Sequence, residues 1–223
     1  MVSFGMTCKG GYHRKYGLPN QDAYCIKGYR TCHVGVVCDG LGSKKFSHIG
    51  SSMLTRAVAN TFRLFSNKPL GLLEPLIQSL WRLYIDPYSP RECLSTLLVV
   101  AVLKREGRVV VGRAGDGMVV LLGQKDILLE EFKEGPSNIT TPFTYAPIEW
   151  QSYPLDAIDS IFMCSDGISE PLIADQKIAF VRAFMQEYTP MRADLRRRAI
   201  STWLKKYPTS LSDDKTFVAM HLC

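Results

Sequence analysis

Val34-Gly35-Val36-Val37-Cys38-Asp39-Gly40-Leu41-Gly42 is an apolar, β-prone run that stops at an Asp-Gly pair, the pattern of a buried strand ending in a turn. Two later stretches repeat the device. Val109-Val110-Val111 leads through Gly112-Arg113-Ala114 into Gly115-Asp116-Gly117, and Ile161-Phe162-Met163-Cys164 leads through Ser165 into Asp166-Gly167. A single Asp-Gly after a strand is ordinarily only a turn, because Asp hydrogen-bonds its own backbone and Gly accepts positive φ. Three of them, together with Asp22 in Asn20-Gln21-Asp22 and the pair Asp213-Asp214 before the last strand, supply five or six carboxylates at the ends of apolar strands.

Between the first two Asp-Gly pairs lie two amphipathic helical patterns. One is Ile49, Met53, Leu54, Ala57, Val58, Phe62 and Phe65; the other is Leu73, Leu76, Ile77, Leu80, Trp81 and Tyr84. Leu97 to Leu103 and Arg108 to Val111 flank Glu106-Gly107, and Val119 to Leu122 and Ile127 to Leu129 flank residues 123–126, which predicts a meander of hairpins. Helices are predicted over Ile173 to Tyr188 and Asp194 to Lys206, and a last strand over Thr216 to Leu222. The order predicts an α+β layer fold with antiparallel sheets and helices outside them. Glu134 to Pro154, with four prolines, is the one long irregular stretch and a candidate functional loop.

With 223 residues and 46% hydrophobic content, the chain can bury one substantial core, and a single domain over residues 1–223 is expected. The longest apolar stretch, Leu94 to Leu103, is too short to span a bilayer, and no N-terminal run resembles a secretory signal, so a cytoplasmic protein without membrane partners is expected. Seven scattered cysteines read as reduced thiols. Much of the net charge of +6 sits at Arg192, Arg196, Arg197, Arg198, Lys205 and Lys206. Leu195, Ala199, Ile200, Trp203 and Leu204 recur there at helical spacing, so these cations read as the solvated side of an amphipathic helix rather than a nucleic-acid surface.

Carboxylates gathered at converging strand ends repel one another, and a bound dication removes that conflict. An all-oxygen set without His or Cys at ligand spacing suits hard cations such as Mg²⁺ or Mn²⁺. Such ions can clamp the oxygens of an in-line phosphoryl displacement, so phosphate-ester hydrolysis is the natural chemistry.

The ordered motifs resemble those of the type 2C metal-dependent protein serine/threonine phosphatases. Asn20-Gln21-Asp22-Ala23 looks like the first acidic motif, and Val36 to Gly42 like the strand-Asp-Gly-x-Gly motif. Leu94-Ser95-Thr96-Leu97 is similar to the small-Ser-Thr strand start, Ala114-Gly115-Asp116-Gly117 to Gly-Asp-Ser-Arg, Cys164 to Ile168 to Ser-Asp-Gly, and Ser212 to Thr216 to the terminal Asp-Asp/Asn-x-Thr/Ser. The resemblance implies a four-layer αββα sandwich with metals at one end. It also implies roles. Asp39 would bridge two core metals and the Gly40 carbonyl would complete one of them; Asp166 and Asp213 would bind the other, Asp22 would bind directly or through water, and Asp116 would serve a looser third ion. A metal-bridging water would then attack phosphorus, and the implied substrate is a phosphorylated protein, such as a kinase or its target.

Gly17 stands where the family commonly has its phosphate-binding Arg, five residues before the first acidic Asp. Arg14, assisted by His13, is expected to take that role, because an Arg fork donates two hydrogen bonds to phosphate. Ser43 replaces a second Gly, and Gly117-Met118 replaces Ser-Arg. The alternative from another class is a pseudophosphatase, a phosphoprotein-binding or regulatory module that does not turn over; in either case a monomer is expected.

Overall fold

The computed structural model describes residues 1–130, 143, 147–207 and 213–222. Among these described residues, ten strands form two antiparallel sheets. The first comprises β1 (Val2–Cys8), β10 (Lys215–His221), β9 (Ile158–Cys164), β6 (Met118–Gly123) and β7 (Ile127–Glu130), in that spatial order. The second comprises β2 (Ala23–Gly28), β3 (His33–Cys38), β4 (Leu97–Leu103), β5 (Arg108–Ala114) and β8 (Glu149–Pro154). Helices α2 (Ser47–Phe65) and α3 (Leu70–Ile85) cover the second sheet, and α5 (Lys177–Tyr188) and α6 (Ala193–Lys206) cover the first. Two short helices, α1 (Gly11–Lys15) and α4 (Asp166–Ser169), lie at the strand ends.

Strand alternation explains why the central strands are apolar throughout. Along β4, Leu97, Val99 and Ala101 pack against the α2/α3 layer, whereas Leu98, Val100 and Val102 enter the space between the sheets. β9 and β10 divide likewise: Phe162 and Phe217 face α5 and α6, and Met163 and Val218 face the other sheet. Three apolar layers result, which is the four-layer sandwich. Phe62 of α2 and Trp81 of α3 are essentially without solvent contact, and Trp81 Nε1 donates to the Gly50 carbonyl at 3.0 Å. Burying side chains of this size stabilises the fold by roughly 1.5–3 kcal/mol each.

The predicted helices and the strands β3, β4, β5, β6, β7, β9 and β10 are present with small boundary changes. The meander is not. The β4–β5 and β6–β7 hairpins belong to different sheets, and the chain crosses between them at residues 115–117. Part of the predicted loop is also a strand: Glu149–Pro154 pairs with β5 along its length. The rest of that loop, apart from Phe143, Pro147 and Ile148, lies outside the described residues. Among the described residues no helix is long and apolar enough to cross a membrane. Cys8, Cys25, Cys32, Cys38, Cys93 and Cys164 are all unpaired.

Candidate metal centre

Antiparallel pairing places the acidic residues at one end of the sandwich. Ala23 opposes Cys38, and Leu97 opposes Ala114, so the start of β2 and the ends of β3 and β5 coincide, carrying Asp22, Asp39 and Asp116. In the other sheet Cys164 opposes both Phe217 and Met118, which brings Asp166 and Asp213 to the same end. A cavity of about 420 Å³ opens there, and Asp39, Gly40, Asp116, Asp166 and Asp213 line it together with His13. Asp22 is buried behind the lining. Arg14 is exposed on α1 and is not among the lining residues.

Each acid has its own support. The Thr96 hydroxyl accepts from the Asp39 backbone N–H at 3.0 Å while Thr96 N–H donates to the Asp39 carbonyl at 2.8 Å, clamping the turn after β3. Gly40 packs too closely for any side chain, since a Cβ there would meet the Ser47 and Gln21 carbonyls at 2.7 and 2.8 Å. Ser165 Oγ donates to Asp22 Oδ2 at 2.7 Å and accepts from Thr216 N–H at 3.1 Å, which ties the two sheets together beneath the cavity. Asp116 stands between two glycines with φ of +89° and +101°. A Cβ on Gly117 would also meet the Cys164 carbonyl at 2.8 Å, so this crossover excludes the family's Ser at that position.

Burial and mutual repulsion oppose ionisation of the cluster. Burial, countered in part by the Ser165 hydrogen bond, raises Asp22 from 3.8 to about 8. Burial and the charges of Asp116 and Asp213 raise Asp166 from 3.8 to about 7. Asp39 is raised well above its usual value by burial first and then by Asp22, Asp166, Asp213 and Asp116. Asp22 Oδ1 and Asp166 Oδ1 are buried without a hydrogen-bond partner. Orphaned carboxylate oxygens in an all-oxygen set fit a hard divalent cation. Among the described residues no three acidic, imidazole or thiolate groups already form a closed cage. Asp39, Gly40, Asp116, Asp166 and Asp213 instead line one cavity, where an ion could keep several of its waters. Cys38 and Cys164 adjoin the ligand positions in sequence but pack under the helices, and burial pushes both thiols up.

Asp214 has a different task from its neighbour. It is 1% exposed; its Oδ1 accepts from Gly10 N–H at 2.6 Å, and its Oδ2 accepts from Gln21 N–H at 2.6 Å and lies 2.8 Å from His13 Nδ1. One carboxylate thus pins both ends of the segment that contains α1. Asp214→Ala is expected to strand two buried amides, each at about 1–3 kcal/mol, and to lower the melting midpoint by roughly 5–15 °C in a domain of this size. Asp214→Asn, which keeps one acceptor oxygen, should fall between; calorimetry of the three proteins checks the order. The Asp-Asp pair is visible in the sequence, but its division into a cavity residue and an anchor is set by folding, because adjacent residues at a strand start point in opposite directions. Thr96 and Ser165 fall within sequence motifs, but their supporting roles emerge only in the fold. Tyr12 and Leu18 also line the cavity without a sequence signal, and Gln21 lines it from within the first acidic motif.

The protein phosphatase 2C family model matches residues 9–207. No curated protein sequence matches the chain. Among solved structures, the serine/threonine phosphatase Stp1 from Staphylococcus aureus superposes with a TM-score of 0.72 at 17% identity, over 99% of this chain and 94% of that one. The S. agalactiae serine/threonine phosphatase gives 0.71 at 16% identity over 100% and 99%. RsbX in complex with magnesium gives 0.63 at 16% identity over 99% and 94%. At such identities the likeness speaks for the fold. The family match spans most of the chain and contains all the strand-end carboxylates but Asp213 and Asp214, which places this protein in the protein phosphatase 2C family of metal-dependent protein serine/threonine phosphatases.

Proposed function

We propose that the chain hydrolyses phosphoserine and phosphothreonine on a protein substrate, a kinase or its target, as a cytoplasmic monomer. Asp39, Asp166, Asp213 and the Gly40 carbonyl would hold two core Mg²⁺ or Mn²⁺ ions, with Asp22 behind them and Asp116 serving a third. The observation that carries this reading is the cavity whose acidic lining includes a buried, unpartnered oxygen of Asp166, with another on Asp22 behind it. When bound, such ions supply an activated water and offset charge on the transferring phosphoryl group.

The chain's own residues do the rest. Thr96 fixes the turn that presents Asp39, and Ser165 fixes Asp22. A phosphate dianion also needs a donor on its outer oxygens. Of the two basic residues expected to serve, His13 lines the cavity and Arg14 does not, so the role falls first to His13. Contact between Nδ1 and Asp214 leaves Nε2 as the ring atom available to a ligand.

Hydrolysis of an aryl phosphate and of a phosphothreonine peptide should require Mn²⁺ or Mg²⁺ and vanish on chelation. His13→Ala should raise KM and the inhibition constant for inorganic phosphate about tenfold, the worth of a charge-assisted hydrogen bond. Arg14→Ala should change them less. Wild-type protein that binds phosphopeptide and shows no metal-stimulated turnover would be a pseudophosphatase.

A further inference from the structure

β1 is a sheet margin of an unusual kind. It pairs with β10 from Val2↔His221 to Cys8↔Lys215 without a register shift, and among the described residues no strand lies on its other side. The other three margins carry the features that normally discourage strand addition. β2 has Lys27, β7 is four residues long and ends in Glu130, and β8 has Glu149 and Pro154. β1 reads Val-Ser-Phe-Gly-Met-Thr-Cys, with no charge, no proline and no bulge.

A groove of about 620 Å³ follows this open edge from Ser3 to Thr7. Phe4 and Met6 turn toward the α5/α6 layer, whereas a Cβ on Gly5 would meet the Tyr24 ring of β2 at 2.9 Å, so the strand's edge lies between the two walls. The α6 wall is basic. Arg196 is held with its guanidinium 4.5 Å from the Phe4 ring and donates to the Thr189 carbonyl at 3.2 Å, and Arg197 beside it is exposed. α6 carries five basic residues and one acid, Asp194.

We propose that β1 takes up an acidic, extended segment of the phosphoprotein substrate as an added strand, with Arg196 and Arg197 selecting its carboxylates. Main-chain pairing gives such a site affinity, and flanking side chains give it specificity. The proposal rests on the phosphatase reading for its substrate. A second copy of the chain fits the groove less well, because pairing β1 with β1 would bring the arginines of both α6 helices to one seam. The strand also leads to the metal end: Cys8 opposes Lys215, two residues beyond Asp213.

The test uses a phosphothreonine peptide with and without a six-residue acidic extension, and the same extension N-methylated at alternate residues. The extension should lower KM about tenfold; N-methylation, which keeps the charge and blocks strand pairing, should remove the gain. Arg197→Glu should remove it as well while leaving aryl phosphate hydrolysis unchanged. Fluorescence anisotropy of the unphosphorylated acidic peptide reads the groove without catalysis, so loss of turnover with retained binding would count against the phosphatase reading alone. An N-methylated peptide that performs as well as the parent, an Arg197→Glu protein with wild-type peptide KM, or a concentration-dependent dimer that excludes the peptide would overturn the proposal.

Discussion

Asp39→Asn is expected to lower metal-dependent turnover by roughly 10²–10³-fold or more, the cost of removing a single preorganised charged group from a reacting centre. The substitution preserves shape. The amide variant would still donate its backbone N–H to Thr96 and fill the turn after β3, so the fold should persist. What it removes is the carboxylate on which Asp22, Asp166, Asp213 and Asp116 all act electrostatically. As the proposed shared ligand it has no substitute in the cavity, whereas Asp116→Ala, affecting only the looser ion, should lower turnover while both core ions stay bound. Aryl phosphate kinetics with calorimetric metal titration separates the two cases. An Asp39→Asn protein with wild-type turnover would sink the assignment of Asp39.

Helices α2 and α3 and the central strands were legible because periodic apolar positions report directly on buried faces. Which sheet a strand joins was not legible. Strands such as β4 and β6 are apolar on both faces, and that pattern is the same in either sheet. β1, β2 and β8 are margins with mostly half-buried or exposed residues, so their alternation is weak. The site followed the same division. Asp-Gly at a strand end marks Asp39 and Asp166 locally, whereas the inward turn of His13 and the outward turn of Arg14 depend on the five-residue helix α1 and on Asp214, 201 residues away from His13 in sequence. Nothing local encodes that contact.

Metal-free protein is expected to lose stability as pH rises from about 5 to 8, and divalent cation should restore it. Unfolded, Asp22 and Asp166 ionise near 3.8; in the folded, metal-free chain they ionise near 8 and 7 respectively. Across the intervening range the native state therefore holds protons that the unfolded state has released. By linkage, the stability present below pH 4 declines until the native carboxyls themselves ionise. Each tenfold by which the fold raises a carboxyl's proton affinity costs about 1.4 kcal/mol above that range, which is roughly 3–5 °C in melting midpoint for a domain of this size. His33 and His48 work in the opposite sense, since burial lowers both and their contribution is lost as pH falls. The informative quantity is thus the difference in slope between wild type and an Asp22→Asn, Asp166→Asn variant, measured in chelator. Wild type should fall more steeply by at least 5 °C over this range, about the cost of one such tenfold shift. At pH 8, Mn²⁺ at a hundredfold excess over its dissociation constant should return roughly 2.7 kcal/mol to wild type and little to the variant. Parallel slopes in chelator, or an equal Mn²⁺ response in both proteins, would show that these two carboxyls neither carry the strain nor hold the cation.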